Sequence, residues 1–592
     1  MALSTLAGDK PGILSNLRVL YQMQTPKIRR RIGWMGVLQV VAAASEVLSL
    51  GAVIPFLGAL ANAESLLEKD YLQPWLQRFD VHDPHGLVLL MAGMFTAAFL
   101  LSNVLRLLAI RGQLKLSAEI GSLLSLGVYS NTLYQPYSYH TRHNSSELIS
   151  LTTWDTVRLS SVLLPAAFQF VTNLLVVVAV SATLVYMEPE VALIAAGVVG
   201  TAYGGIYWKT RKVITHNGRR ISQLNAASVK AVQEGFGGIR DVLIDGSQPE
   251  FETVYHQANR TALHSQSTNN FIGSMPRFLV EPIALGAIAA LAVSMAGDMA
   301  ELERVLPFLG ALALGANRQL PALQQCFASV AAIRSCEASL EKVIKTLRLS
   351  VPLDKSGRGA IEPLPFAQEI VVDNVGFAYD EAGSSWALND VSIKIEAHST
   401  VALIGTTGAG KSTMADLLLG LLTPQQGQIL VDGQPLTDEN MQAWQSGIAH
   451  VPQHIYLSDA SIAKNIAFGA KDGDIDMERV REAAKQAQIA DFIEGRPKGY
   501  EELVGERGIQ LSGGQQQRIG IARALYKKAS VIVFDEATSA LDNDTEREVM
   551  AAIEGLSHDL TIIIIAHRLS TIKGADVVYE FRDGKVQRVA ND

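Results

Sequence analysis

The residues most clearly able to do chemistry form one glycine-rich segment, Gly405-Thr-Thr-Gly-Ala-Gly-Lys-Ser412. The apolar run Val401–Ile404 before it predicts a buried strand, and residues 413–421 after it predict a helix. In this context the segment is a phosphate-binding P-loop, in which glycines let backbone N–H groups face phosphate oxygens at the positive end of the helix. Lys411 would reach the β- and γ-phosphates and Ser412 would ligate Mg²⁺. The sequence therefore predicts a nucleotide site.

A second part of this site lies downstream, where the apolar residues Val531–Phe534 end in Asp535 and are followed by Glu536. Beside a P-loop, the first carboxylate can hold Mg²⁺ directly or through water, and the second can orient or deprotonate an attacking water. Many parallel strands end in this way, so the pattern is weak by itself. Together with the P-loop it predicts nucleotide hydrolysis.

The composition predicts a membrane part joined to a globular part. Of the 592 residues, 48% are hydrophobic and 18% are charged, and the mean hydropathy of +0.19 is high for a soluble enzyme. The two cysteines, Cys326 and Cys336, do not have metal-ligand spacing, and a structural disulfide is not expected.

Six apolar segments are long enough to cross a bilayer, which requires about 20 residues. They lie at about 32–60, 87–110, 159–186, 188–208, 278–297 and 305–331. Beyond them, apolar runs alternate with helical patterns; the strand candidates include 370–372, 401–404, 429–431, 531–534 and 561–565. The predicted fold is a six-span α-helical transmembrane domain in residues 1–340, a linker in 341–365 and an α/β P-loop nucleotide-binding domain in 366–592.

The charges of the loops orient the spans. Basic residues precede the first span and fill the segment between the fourth and fifth, including Arg29, Arg30, Arg31, Lys209, Arg211, Lys212, Arg219, Arg220, Lys230, Arg240 and Arg260. The loops on the other side are short or acidic, with Glu188 and Glu190 in one and Asp298, Glu301 and Glu303 in another. By the positive-inside rule both termini and the nucleotide domain are cytoplasmic.

Three polar segments flank the spans on the cytoplasmic side. Residues 14–31 could lie on the inner membrane surface as an amphipathic helix. Residues 111–158 and 209–277 have helical periodicity and predict that the spans continue beyond the bilayer. Breaks at Tyr134–Ser138 and Gly235–Gly238 predict either short transverse helices that contact the nucleotide domain or ordinary turns.

Charged residues within apolar spans are costly and usually face a bundle interior or a cavity. The candidates are Glu46, Arg106, Arg277, Glu281 and Arg318. Three interpretations stay open: structural Glu–Arg pairs, snorkelling of Arg106 and Arg277 to the inner membrane surface, or a cationic cavity in which Arg106, Arg277 and Arg318 bind an anionic substrate. Gly200 and Gly204 form one GxxxG motif, which we interpret as a helix-packing site.

The segment Leu511-Ser-Gly-Gly-Gln515 completes the motif set. With Tyr379, Gln453, Ser539-Ala-Leu-Asp542 and His567 it makes the chain resemble an ATP-binding cassette (ABC) exporter of the half-transporter type, with six spans followed by one cassette. The resemblance covers essentially the whole chain, and the cassette motifs are highly specific. It identifies the nucleotide as ATP.

The resemblance also implies a role for each matching residue. Tyr379 would stack on adenine, and the phosphates would lie against Gly405, Thr406, Thr407, Gly408, Ala409, Gly410, Lys411, Ser412 and Thr413. Mg²⁺ would be held by Ser412, Gln453 and Asp535. Glu536 would be the catalytic base, assisted by Gln453, and His567 would contact the γ-phosphate. The γ-phosphate of the ATP on the opposite cassette would be bound by Ser512, Gly513, Gly514 and Gln515. Asp542 belongs to the same ATP-site set. The segment Gly505–Gly508 resembles one that touches the membrane helices.

The resemblance further implies a dimer, because the signature segment of one cassette completes the ATP site of another. With every motif intact in one chain, a homodimer is favoured over a heterodimer, and both sites should hydrolyse ATP. Alternation between ATP-bound and released cassettes would then open a membrane cavity first inward and then outward.

A narrower resemblance concerns the cargo. The first span around Glu46–Leu57 and the amphipathic segment 65–79 are similar to those of bacterial flippases for lipid-linked oligosaccharides. This implies a bacterial inner-membrane protein that moves a pyrophosphate lipid, whose phosphates arginine recognises bidentately. An exporter of drugs, peptides or other lipids is the alternative, and a non-transporting cassette ATPase that regulates a channel is a third interpretation. Six spans exclude a soluble cassette protein of repair or translation, so no nucleic-acid partner is expected.

Overall fold

A computed structural model describes residues 12–61, 63–67, 78, 81–187, 189–295, 317, 319–350, 361–379, 385–471, 473–535, 560–566 and 574–589. The chain divides into two compact units. The helical unit comprises Met1–Tyr134 and His143–Val351, and the α/β unit comprises Gln135–Arg142 and Pro352–Asp592. A helical unit followed by an α/β unit is the predicted fold class.

The helical unit is built from long helices joined by short connections. Its described helices are Ile13–Gln22, Pro26–Gly51, Val53–Ala61, Ala63–Leu67, Pro84–Leu133, Ser145–Ser150, Thr156–Arg158, Leu164–Met187, Pro189–Gly237, Ile239–Asp245, Gln248–Met295 and Glu337–Leu347, with π-helical turns at Leu151–Asp155 and Leu159–Leu163. Residues 319–335 are also helical.

Three of these helices are very long. Pro84–Leu133 has 50 residues, Pro189–Gly237 has 49 and Gln248–Met295 has 48. At 1.5 Å per residue each measures about 75 Å, more than twice the thickness of a hydrocarbon core. The helices therefore continue through the polar segments 111–133 and 209–237, as the helical periodicity of those segments predicts.

Three stretches within the described residues are long and apolar enough to cross a membrane: Pro26–Ser49, Pro84–Leu133 and Ser145–Thr183. The other predicted spans at 188–208 and 278–297 fall on the helices Pro189–Gly237 and Gln248–Met295. Residues 305–316 and 318 of the predicted sixth span, 305–331, and residues 68–77 and 79 of the external amphipathic segment lie outside the described residues. Six spans remain a prediction.

The structure differs from the predicted linker at its N-terminal end. Residues 341–347 belong to the helix Glu337–Leu347, whose side chains Leu340, Val343 and Ile344 are buried in the core of the helical unit. The sequence predicts a linker here because continuous apolar runs end near Leu340, but the remaining apolar residues recur at helical spacing and form the buried face of this helix. The helix Ile13–Gln22 packs against this same helix, so part of its apolar face contacts protein.

Both predicted breaks are present. The helix Pro84–Leu133 ends before the short helix Tyr137–Arg142, and Pro189–Gly237 ends before Ile239–Asp245. Residues Gln135–Arg142 cluster with the α/β unit. A Cβ at Gly200 or Gly204 would meet no atom within 4 Å, so within the described residues this GxxxG motif does not pack closely on another helix.

The α/β unit contains two sheets. The strands are β1 Glu369–Ala378, β2 Trp386–Glu396, β3 Thr400–Gly405, β4 Gln426–Val431, β5 Gln434–Pro435, β6 Ile448–Val451, β7 Val531–Asp535, β8 Thr561–Ile565, β9 Val577–Arg582 and β10 Lys585–Val589. The smaller sheet is antiparallel, in the order β2-β1-β4-β5. The larger one has the order β10-β9-β3-β8-β7-β6 and is parallel apart from β10.

The parallel strands β3, β7 and β8 are nearly fully buried, which is why each reads as a continuous apolar run. One face of this sheet shares a core with the smaller sheet and the helix Lys411–Leu418. The other face packs against a mainly helical group. The described helices of this unit are Tyr137–Arg142, Lys411–Leu418, Met441–Gly447, Ile462–Ile466, Met477–Gln486, Ala490–Glu494 and Gly513–Tyr526, with 3-10 turns at Gly499–Glu501 and Glu506–Gly508.

Candidate nucleotide site

The predicted P-loop connects β3 to the helix Lys411–Leu418. Its glycines have positive φ angles of 142° at Gly405, 83° at Gly408 and 106° at Gly410. A Cβ at Gly405 would lie 2.2 Å from the carbonyl oxygen of Phe581, and one at Gly410 would lie 2.6 Å from that of Ala387. Glycine is therefore required at these two positions for both backbone conformation and space.

The side chain of Lys411 folds back into the loop. It is buried, with only 5% of the residue exposed, and its Nζ donates to the carbonyl oxygens of Gly405 at 2.7 Å and Thr406 at 3.0 Å. The helix begins at Lys411 itself, two residues earlier than the sequence predicts. The ammonium group and the first N–H groups of the helix thus lie together at its N-terminus, where phosphate is favoured.

Tyr379 follows β1 and is about half exposed. Its hydroxyl lies 3.1 Å from the hydroxyl of Thr413, and the ring of Phe377 packs edge-on against it. The side chain of Gln425 fixes the preceding residue by bonding both the N–H and the carbonyl of Ala378 at 2.9 Å. An exposed aromatic ring held beside the P-loop helix can stack on a base.

The acidic part of the site includes one residue that the sequence motifs do not indicate. Asp535 ends β7, and Asp416 lies on the P-loop helix. The pKa of Asp416 is raised to about 6, first by burial and then by the negative charge of Asp535. Ser412, which is exposed, lies one helical turn before Asp416 on the same helix, and carboxylate and hydroxyl oxygens are donors that suit Mg²⁺. Gln453 is also exposed, in the segment after β6.

The signature segment forms the start of the helix Gly513–Tyr526. Ser512 caps it: its hydroxyl accepts from the N–H of Gln515 at 3.3 Å, and the Gln515 side chain accepts from the N–H of Ser512 at 2.9 Å. Ser512 and Gly513 are exposed. An exposed, capped N-terminus of a 14-residue helix can accept an anion from another molecule.

Four predicted site residues lie outside the described part of the chain: Glu536, Asp542, His567 and Arg318. Their assigned roles stay predictions. Asp416 and Gln425 are additions from the structure. The sequence signal for Asp416 is an acidic residue within the predicted P-loop helix. The bonds of Gln425 to Ala378, 47 residues away, have no signal in the sequence.

Two of the arginines predicted in the spans pair with carboxylates. Nη1 of Arg106 lies 3.5 Å from the buried Glu46, and Nε of Arg277 lies 2.9 Å from Glu281. Both arginine side chains remain about half exposed, at 52% and 53%. The structure therefore provides the Glu–Arg pairs of the first interpretation. It also leaves part of each guanidinium, which has five N–H donors, at the surface.

Both units match known families. Residues 388–539 match the family model described as ABC transporter, and residues 50–299 match the one described as ABC transporter transmembrane region. The solved structure of a bacterial Atm1-family ABC exporter with ATP bound covers 95% of this chain and 95% of its own, with a TM-score of 0.77 and 24% identity. That likeness shows the fold.

Curated relatives extend over most of the chain. The ATP-dependent lipid A-core flippase of Alkalilimnicola ehrlichii is 32% identical over 468 residues, which cover 78% of this chain and 77% of the relative. The flippase of the same name from Bordetella pertussis is 31% identical over 503 residues, covering 83% of this chain and 76% of the relative.

Proposed function

The chain belongs to the ABC transporter family, and on that premise we propose that it is a homodimeric exporter that flips a phosphate-bearing glycolipid from the inner to the outer leaflet. As a member of the exporter half-transporter type it is a multi-pass membrane protein that couples ATP hydrolysis to transport. The observation that carries the proposal is the similarity to lipid flippases across both units, combined with the P-loop geometry around Lys411.

In the proposed ATP site, the adenine stacks on Tyr379 and the phosphates lie against the loop Gly405–Thr413. The N–H groups at the start of the helix and the Lys411 ammonium neutralise phosphate charge. Ser412, Gln453 and Asp535 would hold Mg²⁺, which would compensate the negative charge of the β- and γ-phosphates. Glu536 is the base, and His567 and Asp542 complete the site.

A second copy of the chain completes each ATP site. The chain has one signature segment, and Ser512–Gln515 presents an exposed helix N-terminus that suits the γ-phosphate of a partner cassette. Anion binding at such a terminus is favoured by the helix dipole. The positive-inside pattern supports cytoplasmic termini and cassettes in a bacterial inner membrane.

The cargo proposed within this class is a lipid-linked oligosaccharide or a similar pyrophosphate lipid. Arg106 and Arg277 can each pair with a carboxylate and still offer guanidinium N–H groups to phosphate oxygens. Arg318 is the third proposed contact. The relatives named for lipid A-core favour a second cargo with the same chemistry, a sugar-bearing lipid with anionic phosphates, so the experiment includes both lipids.

The test uses purified protein in proteoliposomes that contain a labelled polyprenyl-pyrophosphate oligosaccharide or a labelled lipid A-core. ATP-dependent loss of label from one leaflet by the wild type, absent in Glu536→Gln, is the expected result for the cargo. Movement of lipid A-core alone would reassign the cargo, and ATP hydrolysis without movement of either lipid would favour export of drugs, peptides or other lipids.

A further inference from the structure

A buried carboxylate joins three helices of the helical unit at a place that no cassette motif or predicted span includes. Asp155 is 3% exposed and accepts hydrogen bonds from two hydroxyls that are themselves buried. Ser339 donates at 2.5 Å, and Ser222 donates at 3.1 Å to one oxygen and lies 3.4 Å from the other. Lys342 in turn donates to the hydroxyl of Ser222 at 3.0 Å.

The backbone around this carboxylate has three local irregularities. Asp155 ends one π-helical turn, Leu151–Asp155, and a second follows at Leu159–Leu163. Helix 319–335 is interrupted at Cys336 before Glu337–Leu347 begins. A Cβ at Gly218 would lie 2.3 Å from the carbonyl oxygen of Ser335, so two helices touch backbone to backbone beside the cluster. Single π-turns in helices are frequent at functional positions.

A second contact joins the helical run of Asp155 to the end of helix 319–335. Nη2 of Arg158 donates to the carbonyl oxygen of Ser335 at 3.0 Å and lies 3.4 Å from its hydroxyl. Burying a carboxylate among hydroxyls is expensive unless it is fully hydrogen-bonded, and an apolar side chain would serve packing at lower cost. We therefore interpret these hydrogen bonds as fixing one specific alignment of the three helices, and not as a source of general stability.

The position of the cluster along the chain suggests what that alignment is for. Asp155 lies in the helical run that starts at Ser145, directly after the helix Tyr137–Arg142, which clusters with the α/β unit. Ser339 and Lys342 lie in the helix Glu337–Leu347, directly before the chain enters the α/β unit at Pro352. The hydrogen bonds thus join two of the segments through which the chain passes between the units.

We propose that Asp155 is a positioning residue for transport, whose bonds to Ser222 and Ser339 make these helices move as one body when ATP drives the cassettes together. This rests on the proposed transport function, but not on the identity of the cargo. Without the carboxylate, the cassettes can still bind and hydrolyse ATP, whereas the membrane helices no longer follow.

The test compares wild type, Asp155→Ala, Asp155→Asn and Ser339→Ala in lipid nanodiscs, with Glu252→Ala as the matched control. Glu252 is an exposed acidic residue on the helix Gln248–Met295. Two quantities are measured: ATP hydrolysis, and the change in trypsin cleavage across residues 209–277 when ATP and vanadate are added. The second readout needs no cargo.

We expect Asp155→Ala and Ser339→Ala to hydrolyse ATP within about threefold of wild type and to lose most of the trypsin change. Asp155→Asn, which keeps the shape and one acceptor oxygen, should be intermediate, and the control should match wild type. If Asp155→Ala does not fold, the results for Asp155→Asn and Ser339→Ala test the proposal.

The proposal would be overturned by a full trypsin change in the folded variants, or by a proportional loss of hydrolysis and trypsin change, which indicates a general structural role. Wild type that hydrolyses ATP without any trypsin change would also count against it. Failure to move either glycolipid while the trypsin change persists would instead count against the proposed function.

Discussion

The hydroxyl of Tyr379 lies 3.1 Å from the hydroxyl of Thr413, which joins the end of β1 to the first turn of the P-loop helix. The contact places the aromatic ring beside the residues that start the phosphate site. Tyr379 can therefore contribute to ATP binding in two ways, because its ring can stack on a base and its hydroxyl can bond to the helix.

Replacing Tyr379 distinguishes these contributions. Tyr379→Ala removes the ring and should raise the KM for ATP about tenfold with little change in kcat, because an aromatic stacking contact contributes about 1 kcal/mol or more. Tyr379→Phe keeps the ring and should stay within about threefold of wild type. Steady-state ATP hydrolysis measures both, and equal effects of the two changes would contradict the stacking role.

The ammonium group of Lys411 should be indispensable for ATP binding. Lys411→Ala removes the charge that we propose faces the β- and γ-phosphates, and we expect hydrolysis to fall at least a hundredfold. Lys394→Ala is the control, since Lys394 lies on the surface and pairs with Glu369 at 2.6 Å. Nucleotide binding and hydrolysis are measured for both, and retained binding in Lys411→Ala would contradict the site.

Gly405 should tolerate no side chain. Alanine there combines a φ of 142° with a Cβ only 2.2 Å from the Phe581 carbonyl oxygen, so we expect a loss of about 3 kcal/mol or more. Gly433→Ala is the matched control, because Gly433 also has a positive φ but a Cβ there would meet no atom within 4 Å. It should lose only about 1 kcal/mol. Thermal unfolding of the purified protein compares them, and equal melting temperatures would show that the clash is relieved.

Arg277 should act in transport rather than in hydrolysis. Arg277→Gln removes the charge that we propose binds a lipid phosphate, and we expect at least a fivefold loss of lipid movement with ATP hydrolysis retained. Glu281→Gln keeps the arginine and removes only its partner 2.9 Å away, so it should not reduce movement. Loss in both variants to the same extent would instead assign the pair a structural role.

His450 predicts a pH dependence of stability. It lies on β6 opposite Val533, and burial lowers its pKa to about 4 from an ordinary value of 6.5. Above pH 6.5, His450 is neutral in both the folded and the unfolded chain, so its titration does not change the free energy of unfolding. As the pH falls from 6.5 toward 4, the unfolded chain binds the proton first. The free energy of unfolding therefore decreases, by up to about 2 kcal/mol at pH 5.

His450→Gln removes this titration, so its melting temperature should fall less between pH 7 and pH 5 than that of wild type. The exposed His398 has a positive φ of 59° and makes a poor control, whereas the exposed His256, changed to Gln, should keep the wild-type dependence. Identical slopes in His450→Gln and wild type would contradict the burial argument.

The sequence predicts best those parts whose signal is local. The strands β1, β3, β4, β7 and β8 contain continuous apolar runs, and the P-loop has an unambiguous pattern. The hairpin of β9 and β10 also has a local signal in the sequence: Asp583-Gly584, with φ of 48° and 75°, is a turn typical of two-residue hairpins. Strand β2 alternates buried and exposed residues among polar ones, which weakens its pattern.

Contacts between distant helices could not be predicted. Glu46 and Arg106 are 60 residues apart, and Asp155 and Ser339 are 184 apart. Whether such residues meet depends on the rotation of each helix and on local π-turns, which shift every following side chain around the helix axis. The sequence shows that the charges are present in the spans, and only the packing shows which of them pair.

The most direct test of the account is ATP-dependent movement of labelled polyprenyl-pyrophosphate oligosaccharide and lipid A-core in proteoliposomes, with Glu536→Gln as the hydrolysis-deficient comparison. The account predicts that wild type moves a phosphate-bearing glycolipid out of one leaflet and that Glu536→Gln does not. ATP hydrolysis by wild type without movement of either lipid would contradict it.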